Sequence, residues 1–328
     1  MPFAKKHTTT ERYDVFNGDA DGICALHQLR LADPAPGAEL ISGVKRDISL
    51  LSRIQDVQST HITVLDVSMH SNMEPLQRLL AAKNNVLYID HHFAGDIPQS
   101  PYLTHHIDPA PEQCTSLIVD RLLNGRFRQW AICAAFGDNL HAVAGAAAAD
   151  LSLTELETSK LREIGELLNY NGYGADLQDL YFPPANLYRD IQEYDNPLDF
   201  HEQSEYLKTL RMGFDNDMNL ALSQQVFDST GRNRMYRFPD SPWARRISGV
   251  FANHKARENP GGAHALITEN NDGSLRVSVR APLDDRRDAD KLCRAFPSGG
   301  GRAAAAGINC LPMDMLNSFT EAFNNAYR

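Results

Sequence analysis

Asn17-Gly18-Asp19-Ala20-Asp21-Gly22 places two carboxylates and an amide in one short turn. Alternate residues of an extended turn point in related directions and can surround a cation, while the glycines let the backbone fold tightly. A D-x-D-G run also opens the EF-hand loop, but the twelfth position from Asp19 is Arg30 rather than Glu, which excludes a calcium loop. An Asp-rich turn that caps the helix beginning near Ile23 accounts for the same residues without a metal. Further along, Asp66 closes TVLDV, Asp90-His91-His92 closes VLYIDHH, and Asp138 closes AAFGD. Carboxylates combined with imidazoles suit Mn²⁺, Fe²⁺ or Zn²⁺ better than Ca²⁺. These groups are too many for one tetrahedral zinc and match two ions that share a bridging ligand. Two metals ~3.5–4 Å apart form a clamp for in-line displacement at phosphorus. A second histidine pair, His105-His106, is read as structural.

The elements that must position these groups follow from hydrophobic patterning. RYDVFN (12–17), AELISGV (38–44), HITVLDV (61–67) and NVLYID (85–90) read as strands, and AICAAFGD (131–138) as a further strand ending in a carboxylate. Between them lie the helical patterns GICALHQLRLA, EPLQRLLAAK and CTSLIVDRLLNG. Strands alternating with helices predict a parallel sheet covered by helices. In such a sheet the ligand crevice lies beyond the carboxyl ends of the strands. Residues 142–200 read as helices. The last segment has the strand patterns GAHALITEN and LRVSVRAP, a helix near Asp288, a glycine-rich loop SGGGRAAAAG (298–307) and a terminal helix through Phe323. The expected fold class is α/β with two domains. A catalytic domain spans 1–200, a linker 201–215, and a smaller α/β domain 216–328.

Composition narrows the function classes. At 328 residues the chain has room for about two domains. No run approaches the ~18–20 apolar residues that cross a bilayer. The start of the sequence lacks an apolar signal core, so a cytoplasmic location and no membrane partner are expected. Five scattered cysteines without a CxxC pair exclude a zinc knuckle or a redox dithiol. The net charge of −10 disfavours a protein that holds long duplex nucleic acid. Charge is uneven, however. Residues 232–302 carry 14 Lys and Arg against eight Asp and Glu, and the remainder 18 against 34. An acidic metal-binding part and a basic part that receives an anion fit that division.

The order NGDADG, LDV, YIDHH, FGDN and GGGRAAAAG resembles the DHH/DHHA1 phosphoesterase family over nearly the whole chain. The resemblance implies a DHH domain holding two metal ions, most readily Mn²⁺, with Mg²⁺, Co²⁺ or Fe²⁺ as alternatives. It also implies a DHHA1 domain gripping a nucleotide-like substrate across an active-site cleft. Carried over residue by residue, Asp19 and Asp66 hold one ion, with Asn17 beside them. Asp21, Asp66, His91 and Asp138 hold the other, and Asp66 bridges. Asp90 orients a histidine, and His92 faces the scissile phosphate. Thr115 and Ser116 match a hydroxyl-bearing segment that opens a helix, either as N-caps or as phosphate contacts. Gly299, Gly300, Gly301 and Arg302 match the family's GGGH loop, with arginine where the family has histidine and so a bidentate phosphate contact in prospect. Arg280, at the end of LRVSVR, is a second candidate for the substrate.

Asn17 is the other departure, because an amide brings no charge to the first ion. The expected activity is hydrolysis of linear dinucleotides, very short oligonucleotides or cyclic dinucleotides. Phosphoadenosine-phosphate phosphatase, polyphosphatase and RecJ-like single-strand exonuclease are the alternatives, followed by a nucleotide sensor without turnover. A homodimer is compatible with the sequence but not indicated by it.

Overall fold

The computed structural model describes residues 12–270 and 272–328, and the chain divides into two compact units, one extending to Arg211 and the other Met212–Arg328. In the first unit, β1 (Arg12–Asn17), α1 (Ala20–Ala32), β2 (Glu39–Gly43), β3 (His61–Leu65), α2 (Met73–Ala81), β4 (Asn85–Asp90) and β5 (Leu103–Ile107) alternate strand and helix. The helices α3 (Thr115–Leu122), α4 (Arg128–Gly137), α5 (His141–Asp150), α6 (Glu155–Gly172), α7 (Pro184–Ile191) and α8 (Pro197–Gln203) follow, and α9 (Glu205–Leu222) begins in this unit and ends in the second. The sheet has the order β2-β1-β3-β4-β5 with every pair parallel. Val15, Ile41, Val64, Val86 and Tyr88 bury one core together with Leu76, Leu79 and Leu80 of α2. The order reverses at β1, so β1 and β3 flank the switch point where open parallel sheets bind ligands.

Two expectations change here. AICAAFGD is not a strand: it is α4, buried from Trp130 to Gly137, and Asp138 is its C-terminal cap. A helix buried on every side shows the same continuous apolar run as a buried strand. Its packing depends on a small residue, since a Cβ on Gly165 of α6 would lie 1.9 Å from the Cys133 carbonyl oxygen. The fifth strand is instead β5, whose LTHHI carries His105 and His106 on the sheet edge. Residues 201–215 are helical, in α8 and α9 apart from Ser204.

The second unit contains β6 (Val226–Thr230), β7 (Asn233–Phe238), α10 (Pro242–Glu258), β8 (His264–Glu269), β9 (Leu275–Arg280), α11 (Ala289–Arg294), β10 (Gly299–Arg302), β11 (Ala305–Leu311) and α12 (Leu316–Ala326). Its sheet runs β10-β11-β9-β8-β7-β6 and is antiparallel except between β7 and β8. A separate core gathers Val277, Val279, Ile308, Phe319 and Phe323. The glycine run expected as a loop forms the edge strand β10, paired Gly299 to Ile308 and Arg302 to Ala305 in a hairpin with β11. Glycine costs strand entropy, and neighbour pairing with β11 overrides that local signal.

Cys24, Cys114 and Cys133 are buried in the first unit, Cys293 is buried in the second, and Cys310 is exposed. No helix among the described residues is long and apolar enough to cross a membrane.

Candidate metal centre

Strand register explains why distant residues meet. Phe16 pairs with Leu65, Leu65 with Ile89, and Asn17 with Gly43, so the segments after β1, β3 and β4 leave the sheet at one end. The chain enters α1 through a tight turn in which a Cβ on Gly22 would fall 2.2 Å from the Asn17 carbonyl oxygen, so the turn requires glycine there. Asp19 caps α1 by accepting from the backbone N–H groups of Asp21 (3.0 Å) and Gly22 (3.1 Å). Both the capping role and the acid-cluster role expected of this turn are therefore present.

Asp21 is wholly buried and accepts from the backbone N–H groups of Thr115 and Ser116, each at 2.7 Å, at the N-terminus of α3. A helix N-terminus and two amides stabilise its charge. Thr115 Oγ1 also donates to Asp66 (3.3 Å), and Ser116 Oγ to the Asp21 carbonyl (2.9 Å). Both residues are fully buried, and their N–H and O–H donors serve these carboxylates and the turn behind them.

Asp66 follows β3 with φ +57°, a left-handed conformation that Asp and Asn tolerate best among non-glycine residues. Burial and then the neighbouring Asp19, Asp21, Asp138 and Asp90 push its carboxyl well above the usual range. Asp138, buried and facing Asp21 and Asp19, is pushed up to about 6 despite the pull of Lys45.

The two histidines are held differently. His91 Nδ1 lies 3.0 Å from the Gln113 carbonyl oxygen. A carbonyl accepts, so Nδ1 carries a proton and Nε2 is the ring atom left for a metal ion. That Nε2 faces Asp66 Oδ1 at 3.4 Å, Asp138 Oδ2 at 3.7 Å and Asp21 Oδ2 at 4.0 Å. Three carboxylates thus converge on one ring nitrogen, an arrangement that a cation among them would relieve. Asp21, His91 and Asp138 bring ligand atoms within 4.8 Å of one another, as do Asp66, His91 and His92. His92 Nδ1 donates to Asp90 Oδ1 at 2.7 Å. Burial alone would lower the His92 pKa, but the Asp90 bond and charge, with Asp21 and Asp138, outweigh it and raise the value.

Sequence reasoning missed Lys45. Two residues past β2, its ammonium donates to Asp19, to Asp138 Oδ1 at 3.2 Å and to Asn169 Oδ1 on α6 at 2.9 Å. Burial would depress its pKa, but Asp19 and Asp138 hold it well above the ordinary value. Lys45 in turn draws the buried Asp19 carboxyl down. Asn17 Nδ2 donates to the Lys45 carbonyl (3.2 Å), whereas its Oδ1 is buried without a partner. The available signal was topological. A residue just beyond the carboxyl end of the strand next to β1 enters the same crevice as the acids.

The donor set fits one divalent ion well. Asp21, Asp66 and Asp138 supply oxygens, and His91 supplies a nitrogen whose tautomer is already fixed. The place expected for a second ion, between Asn17, Asp19 and Asp66, is already entered by the Lys45 ammonium. Both Asp19 oxygens are committed, one to two backbone N–H groups and the other to Lys45.

The remaining candidates lie in the second unit. Arg280 donates from Nε to Asn253 Oδ1 (2.7 Å) and from Nη1 to the Val279 carbonyl (3.2 Å). Gly299, Gly300, Gly301 and Arg302 line the sheet edge, with Arg302 exposed. The basic surplus is partly internal, because Arg245 pairs with Asp240 and Arg246 Nε with Asp217 (2.8 Å).

No family model and no curated protein matches the sequence. Solved structures do match. The DHH domain of a member of a ribosomal-protein family aligns at 14% identity with a TM-score of 0.60, covering 97% of this chain and 86% of that one. Exonuclease RecJ bound to manganese aligns at 14% identity and 0.57, over 97% and 90%. The pGpG-specific phosphodiesterase of Vibrio cholerae aligns at 13% and 0.57, over 96% and 98%. With its parallel sheet, its acid-bearing strand ends and its second mixed sheet, the chain has the two-part fold of the DHH-domain proteins.

Proposed function

We propose that the protein is a metal-dependent phosphoesterase acting on phosphodiester bonds of short nucleotides. The observation that carries this reading is His91 Nε2 facing Asp66, Asp138 and Asp21 at 3.4–4.0 Å. The similarity of fold to RecJ and to a pGpG-specific phosphodiesterase supports the same chemistry.

Asp21, Asp66, His91 and Asp138 would hold the ion, most readily Mn²⁺ or Mg²⁺. When bound, such an ion lowers the pKa of water from ~15.7 toward ~7 and polarises a phosphoryl oxygen. The chain does the rest. The α3 N-terminus fixes Asp21, Gln113 fixes a proton on His91 Nδ1, and Asp90 orients His92 and favours its protonated form. His92 then donates a hydrogen bond to the charge that develops on the phosphoryl or leaving oxygen.

Beside His92, the Phe93 side chain is 71% exposed and pairs with His70 at 5.8 Å. An exposed ring next to the reacting group offers a stacking surface for a nucleobase, for which a polyphosphate has no use. This favours nucleotides. Arg280 and Arg302 are proposed as phosphate contacts of the second unit.

The test is Mn²⁺-dependent hydrolysis of pApA, pGpG, a long single strand, cyclic dinucleotides, phosphoadenosine phosphate and polyphosphate, each beside Asp66→Asn. The dinucleotides should be cleaved best, with kcat/KM falling at least ~10³-fold in the variant, about 4 kcal/mol of transition-state stabilisation. Saturable nucleotide binding with no turnover of any substrate would replace this reading with that of a sensor.

A further inference from the structure

We infer that the Lys45 ammonium stands where a second metal ion would sit, so that the centre holds a single divalent ion with a fixed organic cation beside it. The inference rests on the metal-centre reading above and deepens it.

An ammonium has three N–H donors, and Lys45 has three acceptors: Asp19, Asp138 and Asn169. Its donor capacity is fully used. Asp138 divides its oxygens, with Oδ1 on Lys45 and Oδ2 facing His91. That carboxylate thus spans the ammonium and the proposed ion, as a shared carboxylate spans two metals.

The alternative ligands for a second ion are spent or weak. Asp19 gives one oxygen to two backbone N–H groups and the other to Lys45. Of the other donors there, Asn17 Oδ1 is a buried oxygen without formal charge, and Asp66 is already shared with the proposed ion through its place beside His91. A neutral oxygen and a shared carboxylate offset poorly the dehydration of a second doubly charged cation where an ammonium already lies among the acids. Placement of the lysine is also built in. Its backbone N–H donates to the Gly172 carbonyl at the end of α6 (2.9 Å), and Asn17 Nδ2 binds its carbonyl. Asn17, which looks like a deficient metal ligand, instead anchors the residue that fills the place.

The charge balance agrees. Asp19, Asp21, Asp66 and Asp138 form the cluster, and Lys45 compensates the part of it farther from His91 without depending on metal supply. A second divalent ion would have to displace the ammonium from three partners.

The experiment counts ions. Metal-free full-length protein is titrated with Mn²⁺ by equilibrium dialysis and by electron paramagnetic resonance, with Lys45→Ala treated in parallel. The wild type should bind one Mn²⁺ per chain and give the spectrum of an isolated ion. Lys45→Ala, which frees Asp19 and Asp138, should bind two and give an exchange-coupled spectrum. Two ions in the wild type overturn the inference and leave the phosphoesterase reading standing, whether or not the variant folds. One ion in both proteins overturns it as well, since Lys45 would then not be what excludes the second. No bound ion in the wild type removes the metal-centre reading itself.

Discussion

Asp66 carries conflicting demands within one residue. Its backbone is left-handed at φ +57°, and its buried carboxylate lies among Asp19, Asp21, Asp138 and Asp90. Asparagine tolerates the same backbone and keeps an oxygen for the Thr115 hydroxyl, but it brings no charge. Asp66→Asn should therefore stabilise the metal-free protein while abolishing turnover, as expected where function stores repulsion. A gain of about 1 kcal/mol corresponds to a rise of roughly 2–4 °C in Tm, readable by calorimetry in the presence of a chelator. A fall in Tm would mean that repulsion at Asp66 is not a significant burden on the fold.

Between elements, His27 acts as a pin. It projects from α1 against Trp130 of α4, edge to face at 4.6 Å, and its Nε2 donates to the Tyr194 carbonyl at 2.9 Å. Trp130 Nε1 donates to the next carbonyl, that of Asp195, at 2.8 Å. Burial lowers the His27 pKa to about 4, against partial opposition from the Tyr194 bond and Asp195. The unfolded chain takes up this proton near 6.5, while the folded chain resists until about 4. Stability contributed by neutral His27 is thus present above pH ~6.5 and lost as the pH falls toward ~4, about 3 kcal/mol in all. The difference in unfolding free energy between wild type and His27→Gln should shift by that amount between pH ~7 and pH ~4. A difference constant with pH would contradict the assignment.

Legibility also differed by element. Strands β1 to β4 were readable because each is an apolar run that ends in turn residues. The edge strand β5 was not, since His105 and His106 occupy positions where a buried strand would be apolar. The acid-bearing turns were legible as a cluster because chemistry fixes their residue types. Asp138 was read as the end of a strand and instead caps α4, because a helix buried on all sides shows the same apolar run. Lys45 was invisible: a lysine after a strand looks like a solvated charge until the sheet order places β2 beside β1. In the second unit, the buried Arg245 and Arg246 pair with Asp240 and Asp217, which a count of charges along the sequence does not show.

At the scale of the molecule, each unit buries a core of its own, and Asp21, Asp66, His91 and Asp138 all belong to the first. Ligand binding to a folded unit lowers the population of its open states by mass action, about a hundredfold when the ion stands at ~100 times its Kd. The buried thiols divide along the same boundary, with Cys24, Cys114 and Cys133 on one side and Cys293 on the other. Alkylation of a buried thiol requires opening, so each thiol times the opening of its own unit. Added Mn²⁺ should slow labelling of the first three by up to about a hundredfold and leave Cys293 unchanged, as read by peptide mass spectrometry. Equal slowing of Cys293 would show that the two units open as one. Cys310, already exposed, supplies the internal zero of time. Five cysteines without a disulfide thus amount to a pair of clocks and their reference, written into the chain and readable without adding a label site.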